Sequence, residues 1–295
     1  MATRTFADRV AAAVRERRSQ LVVGLDPVPE RLPAEFRGEE PAAACSRFCR
    51  GIVDAVAAVA VAVKPQSAFF EALGPDGWRA LADVCDHARD AGLLVIADAK
   101  RGDIDSTARA YATAFLERRG AGPPLADALT VNPYLGGDSL EPFFDAARRE
   151  GGGVFCLVKT SNPDSVDVQD RLLAPDGCPL WQHVASLVHR WGEGDMGEAG
   201  FSSVGAVVGA TFPREVAEAR RRLPHAVLLL PGVGAQGGQP ADLEAAFSAG
   251  PASALVSASR SLIYASGDDW RAAARREAER LAVEVWAVAG RSAAQ

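Results

Sequence analysis

Residues 94–107 read LVIADAKRGDIDST, an apolar run that ends in Asp98, Lys100 and Asp103 and leads into a helix-like segment. Side chains alternate faces along a strand, so Asp98 and Lys100, two apart, project to the same side. Opposite charges therefore meet where a strand hands over to a loop, with Asp103 following in that loop. Such charges are costly to bury unless they are paired or used. Taken alone, the pattern is equally well read as a satisfied ion pair at a strand end. The rest of the chain decides.

Working outward, short runs rich in Val, Leu, Ile and Ala recur at 21–25, 59–63, 93–97, 128–131, 154–158, 204–208, 226–230 and 254–256. The segments between them are long enough for crossover helices. Continuous apolar runs joined in this way predict parallel strands buried on both faces, and eight of them predict an α/β fold closed as a (β/α)8 TIM barrel. Before the first run, Phe6, Val10 and Val14 keep helical spacing, which predicts an extra N-terminal helix. After the last, Trp270, Ala274, Ala278, Leu281 and Val285 form one helical face suited to cover the barrel exterior. Two stretches break the rhythm, 162–180 and 192–202, and are read as insertions. No linker divides the chain, so residues 1–295 are expected to form one domain.

The net charge of −6 comes with basic residues scattered through helical segments near acids, which gives no nucleic-acid footprint and no polybasic membrane anchor. Cys45, Cys49, Cys85, Cys156 and Cys178 are odd in number and lack CxxC spacing, so they read as reduced thiols of a cytoplasmic protein. The first residues lack the apolar core of a signal peptide, and no run reaches the length of a membrane span.

Nearly every apolar run ends in a polar residue with chemical capacity: Asp26, Lys64, Asp98 with Lys100, Asn132, Lys159 with Ser161, Thr211, Gln236 and Arg260. In such a barrel the C-terminal strand ends converge on the active site. Pro231–Gly238 reads PGVGAQGG after the seventh run, and Arg260 follows the eighth. Glycines let backbone N–H groups approach an anion and Arg offers a planar fork for phosphate oxygens, so these two loops predict a phosphate site. Lys64 reads as a snorkelling lysine, a Schiff-base nucleophile or a partner for Asp98 and Asp103; the partner role fits the two carboxylates best. His87, His183, His189 and His225 lie away from strand ends, which supports neither a metal site nor a His-based triad.

These residues resemble the orotidine 5'-phosphate decarboxylase family, and specifically its longer bacterial form, type 2. VVGLDP, DAKRGDIDST, PGVGAQGG and SRSLIY carry the likeness, with VNPYLGGDSLEPF and VKTSNP looking like the longer form. The resemblance implies an alternating array of Lys64, Asp98, Lys100 and Asp103. It implies a homodimer in which Asp103, with Ile104 and Thr107, serves the neighbouring subunit's site. Asp26 would contact ribose hydroxyls, Ser161 the pyrimidine, and Gln236 and Arg260 the phosphate. Neither metal nor organic cofactor is implied.

Loss of CO2 from C6 of the pyrimidine leaves electron density on a vinyl carbon that the ring delocalises poorly. A cationic Lys100 held by two carboxylates can stabilise that charge and then protonate C6. Three other readings compete. A Mg2+-dependent sugar-phosphate decarboxylase or synthase on the same barrel would need an acid where Lys64 stands. A Schiff-base aldolase would use Lys64 or Lys100. A non-catalytic nucleotide-phosphate binding protein would share the phosphate loops, yet keeping four converging charges unused costs stability.

Overall fold

A computed structural model describes residues 4–175, 177–234 and 237–292. Eight strands close a parallel barrel: β1 (Leu21–Leu25), β2 (Ala62–Pro65), β3 (Leu94–Arg101), β4 (Ala128–Val131), β5 (Gly153–Lys159), β8 (Ser202–Val208), β9 (Ala226–Pro231) and β10 (Ala254–Ala258). Two further strands, β6 (Leu172–Leu173) and β7 (Cys178–Pro179), form an antiparallel hairpin outside it. The barrel order is β1-β10-β9-β8-β5-β4-β3-β2, so each strand pairs with its neighbours in sequence once the hairpin is set aside. This is a (β/α)8 TIM barrel.

The second apolar run is displaced from its expected position. Val59 and Ala60 finish the turn after α2 (Pro41–Val56), and the strand begins at Ala62. Helix, turn and strand are all apolar through 55–63, so periodicity had no boundary to mark.

Helices clothe the barrel: α2, α3 (Ser67–Glu71), α4 (Gly74–Asp90), α5 (Asp105–Leu116), α6 (Glu141–Glu150), α7 (Leu180–Gly192), α8 (Pro213–Arg222), α9 (Arg260–Ile263) and the long α10 (Trp270–Ser292). Ala274, Ala278, Leu281 and Val285 of α10 are buried on the outer core. A second core fills the barrel itself, where Val22, Ala62, Ile96, Ala128, Phe155, Val207, Leu229 and Leu255 pack together.

Helix α1 (Phe6–Arg17) joins that inner core rather than the outer one: Phe6, Val10 and Val14 are buried in it, and Phe6 meets Phe155 edge-on at 5.8 Å. Thr5 caps the helix by accepting from Asp8 N–H. Arg9 donates to Asp127 Oδ1 (2.5 Å) and to Gly151 O (2.9 Å), and Arg17 donates to Gly92 O (2.8 Å). All three acceptors sit just before strands, so α1 seals the N-terminal mouth. Residues 192–202 lie at that end too: Arg148 holds Asp195 through two bonds of 2.7 and 3.1 Å. The opposite, C-terminal mouth is left for chemistry.

Candidate active site

At the end of β3 the pairing with β4 slips, from Ala97 opposite Leu129 to Arg101 opposite Val131, so residues 98–100 bulge out of the ladder. Lys100 takes a left-handed backbone (φ 48°), which costs a non-glycine residue about 1–3 kcal/mol and persists only when the surroundings enforce it. Thr130 on β4 supplies that constraint. Its Oγ1 accepts from the N–H groups of Ala99 (3.1 Å) and Lys100 (2.9 Å), and donates to Asp98 Oδ1 (3.0 Å).

The Asp98 carboxylate is the hub. Lys64 Nζ, at the end of β2, donates to Oδ2 at 2.6 Å, and Gln66 Nε2 to the same oxygen at 3.2 Å. Lys100 Nζ donates to Oδ1 at 2.5 Å. Burial alone would push the Asp98 carboxyl up, but the two ammonium groups outweigh it and hold it far below the usual carboxylate range. Burial would likewise lower Lys64, while Asp98 and then Asp26 raise it above its ordinary value. The side chains of Lys64 and Asp98 are 8% and 10% exposed, whereas that of Lys100 is 45% exposed. One ammonium is therefore locked beneath the carboxylate and the other faces the opening.

Around this hub runs a pocket lined also by Asp26, Thr160, Ser161, Pro231, Gly232, Ser257, Ser259 and Arg260. Ser259 Oγ donates to Asp26 Oδ2 at 2.6 Å, and the approach is close enough that a Cβ on Gly24 would lie 2.6 Å from Ser259 Cβ. Asp26 lines the pocket, and its Oδ1 is buried and accepts no hydrogen bond among the described residues. Tyr264 accepts from Val28 N–H (2.8 Å) and donates to Asp26 O (3.2 Å), tying the β1 loop to α9. Arg260 is exposed, and its side chain makes no hydrogen bond or ion pair among the described residues.

Of the residues picked out in the sequence, Lys64, Asp98, Lys100, Asp26, Ser161 and Arg260 come together here. Asp103 and Thr107 do not. Asp103 turns its Oδ1 to the N–H of Ile104 (2.8 Å) and Thr107 is exposed on α5, so neither lines this pocket within the chain. Gln236 lies outside the described residues. Asn132 spends its side chain capping the turn at Tyr134 (3.0 Å), and Thr211 and Lys159 lie outside the lining. Gln66, Thr130, Thr160, Ser257 and Ser259 were missed. Thr130 sits inside an apolar run and Ser257 directly after one, in a strand of ordinary composition, where nothing distinguishes a site hydroxyl from strand filler.

The family described as "Orotidine 5'-phosphate decarboxylase / HUMPS family" matches residues 19–276. The orotidine 5'-phosphate decarboxylase of Rhodopirellula baltica is 48% identical over 270 residues, covering 88% of this chain and 89% of its own. A solved structure from Streptomyces avermitilis superposes with TM-score 0.85 at 39% identity, covering 98% of both chains. The Leishmania donovani UMP synthase structure gives TM-score 0.79 at 36% identity over 97% of this chain, which spans 57% of that longer one. The expected assignment to a separate longer type 2 form is corrected. The match is to the common barrel family, and the length and loop motifs that suggested a distinct form are carried on the same closed barrel.

Proposed function

We propose that this chain, which belongs to the orotidine 5'-phosphate decarboxylase / HUMPS family, works through the Lys64–Asp98–Lys100 cluster. The reaction is the decarboxylation of orotidine 5'-phosphate to uridine 5'-phosphate, a lyase step of pyrimidine biosynthesis. The observation that carries the assignment of residues is the geometry of Lys100: its ammonium is fixed at 2.5 Å from Asp98 and yet faces the mouth.

In this reading the pyrimidine sits over Lys100 with its departing carboxylate toward Asp98, where like charges crowd the ground state. As CO2 leaves, the Lys100 ammonium stabilises the charge growing on C6 and then donates its proton there. Lys64 stays under Asp98 and keeps it ionised. The unmet Asp26 oxygen supports a contact to a ribose hydroxyl, Ser161 would meet the ring, and Arg260 would meet the phosphate, whose remote binding energy holds the ring in place. A divalent metal at Asp98 would have to displace the Lys64 ammonium, which disfavours the Mg2+-dependent alternative.

Asp103 would act in the neighbouring subunit's site of a homodimer. Exposed Ile104, Tyr134 and Leu135 flank it at the same mouth and support a face covered by a second copy. Among the described residues no helix is long and apolar enough to cross a membrane. Cys45, Cys49, Cys85 and Cys156 are buried free thiols, which supports a reducing, cytoplasmic setting.

Ultraviolet spectroscopy of purified protein with orotidylate tests the reaction: the spectrum should convert to that of uridylate, and a static spectrum overturns the reading. Subunit sharing has its own test. Lys100→Ala and Asp103→Ala dimers, each inactive, should recover up to about half of wild-type activity when exchanged into heterodimers, since one site in two is then intact. Inactive heterodimers, verified by mass spectrometry, place Asp103 within its own chain's function.

A further inference from the structure

The excursion between β5 and α7 has no part in the chemistry above, yet it folds back onto the end of β5 at two points. The first is Lys159, 1% exposed, whose Nζ meets Asp170 Oδ1 at 2.5 Å and lies 5.3 Å from the centre of the Phe212 ring. A lysine at that depth needs its carboxylate, because an unpaired buried ammonium is strongly unfavourable. The second is Gln169. Its Oε1 accepts from Thr160 N–H at 2.9 Å, and its Nε2 donates to Thr160 Oγ1 at 2.7 Å. Thr160 Oγ1 in turn donates to Asn162 Oδ1 at 2.7 Å.

Those bonds fall on pocket wall. Thr160 and Ser161 both line the pocket, just after a slip in register at Lys159 has ended regular pairing with β8. Behind them stands Gly209, where a Cβ would lie 3.1 Å from the Ser161 backbone. The two residues are thus held between Gly209 on one side and Gln169 with Asp170 on the other.

We infer that Gln169 and Asp170 are positioning residues, which hold Thr160 and Ser161 against the base of the bound nucleotide. The inference rests on the proposed nucleotide pocket and deepens it. Residues 162–170 then serve base recognition alone, since the phosphate end lies at β9 and β10.

Two ligands separate base from phosphate: uridylate carries both, and ribose 5-phosphate lacks the base. Calorimetric dissociation constants for each should be measured on wild type and on Gln169→Ala. Uridylate should bind about tenfold more weakly to the variant, the scale of a lost hydrogen bond, with ribose 5-phosphate unchanged within about twofold. The kcat/KM for orotidylate should fall in parallel with uridylate affinity. Equal weakening of both ligands marks general loosening and overturns the inference, as does no weakening of either. If Gln169→Ala does not fold, Gln169→Glu carries the same comparison with a smaller expected loss, because it keeps the acceptor for Thr160 N–H and loses the donor to Oγ1. An active wild type with an unchanged ratio of constants defeats only this inference; an inactive wild type defeats the nucleotide reading beneath it.

Discussion

Two ends of one pocket are built on opposite principles. At β2 and β3, every charge already has a partner: Asp98 receives Lys64, Lys100, Gln66 and Thr130 before any ligand arrives. At β9 and β10, Arg260 is exposed and its guanidinium has no partner among the described residues, beside glycines 232 and 234 in left-handed conformations. Chemistry that stabilises a fleeting charge gains from dipoles and ions fixed in advance, because none of them must reorganise during the step. Anion capture gains from a cation still free to bind. The pocket therefore pairs a preassembled end with a waiting one, and each should fail differently when altered.

The largest expected effect tests the preassembled end. Lys100→Ala should lower kcat by at least about 10⁴-fold, combining loss of a general acid with loss of an electrostatic stabiliser, while uridylate still binds. Turnover within about tenfold of wild type would remove Lys100 from the chemistry. Next, Lys64→Met should cost about 3–5 kcal/mol of folding stability, the scale for breaking a buried ion pair. Denaturant unfolding measures it. Arg260→Ala should leave stability within about 0.5 kcal/mol of wild type, the range for exposed positions. Its damage belongs to substrate: kcat/KM should fall by about 2–4 kcal/mol equivalent. The gap in rate between orotidylate and its phosphate-free nucleoside should shrink in this variant, and an unchanged gap would show that the phosphate is held elsewhere.

The smallest effect is on pH. Asp98 has its folded pKa lowered, so its contribution to stability is present above the ordinary aspartate value of about 4 and is lost as pH falls through the folded value. Lys64 has its folded pKa raised, so its contribution is present below about 10.4 and is lost as pH rises through the folded value. Neutral pH lies on the plateau of both. Unfolding midpoints taken downward from pH 7 should begin to drop near pH 4 in wild type, by at most about 1.4 kcal/mol per pH unit for one proton, and more shallowly in Asp98→Asn. Identical slopes in the two proteins would break the claim that this end is preassembled around an ionised Asp98.

The barrel was legible because burial on both faces writes strands as unbroken apolar runs, and eight of them recur. Lys64 and the Asp98–Lys100 pair were legible because charges stand out at the ends of such runs. Residues that act through hydroxyls were not. Thr130 makes three hydrogen bonds to the β3 bulge but sits in ALTV, where a threonine is ordinary strand composition. Position at a strand end also promised more than it delivered: Asn132, Lys159 and Thr211 all follow apolar runs, yet the bulges of β3 and β5 and the local turns decide which side chains face inward. Bulges depend on pairing between distant strands, so a single strand's sequence does not announce them.

Helix α1 gives the pocket a floor. Phe6, Val10 and Val14 pack into the barrel core, so among the described residues the N-terminal end of the barrel is filled by side chains. The site is a blind well, so traffic runs both ways through one door.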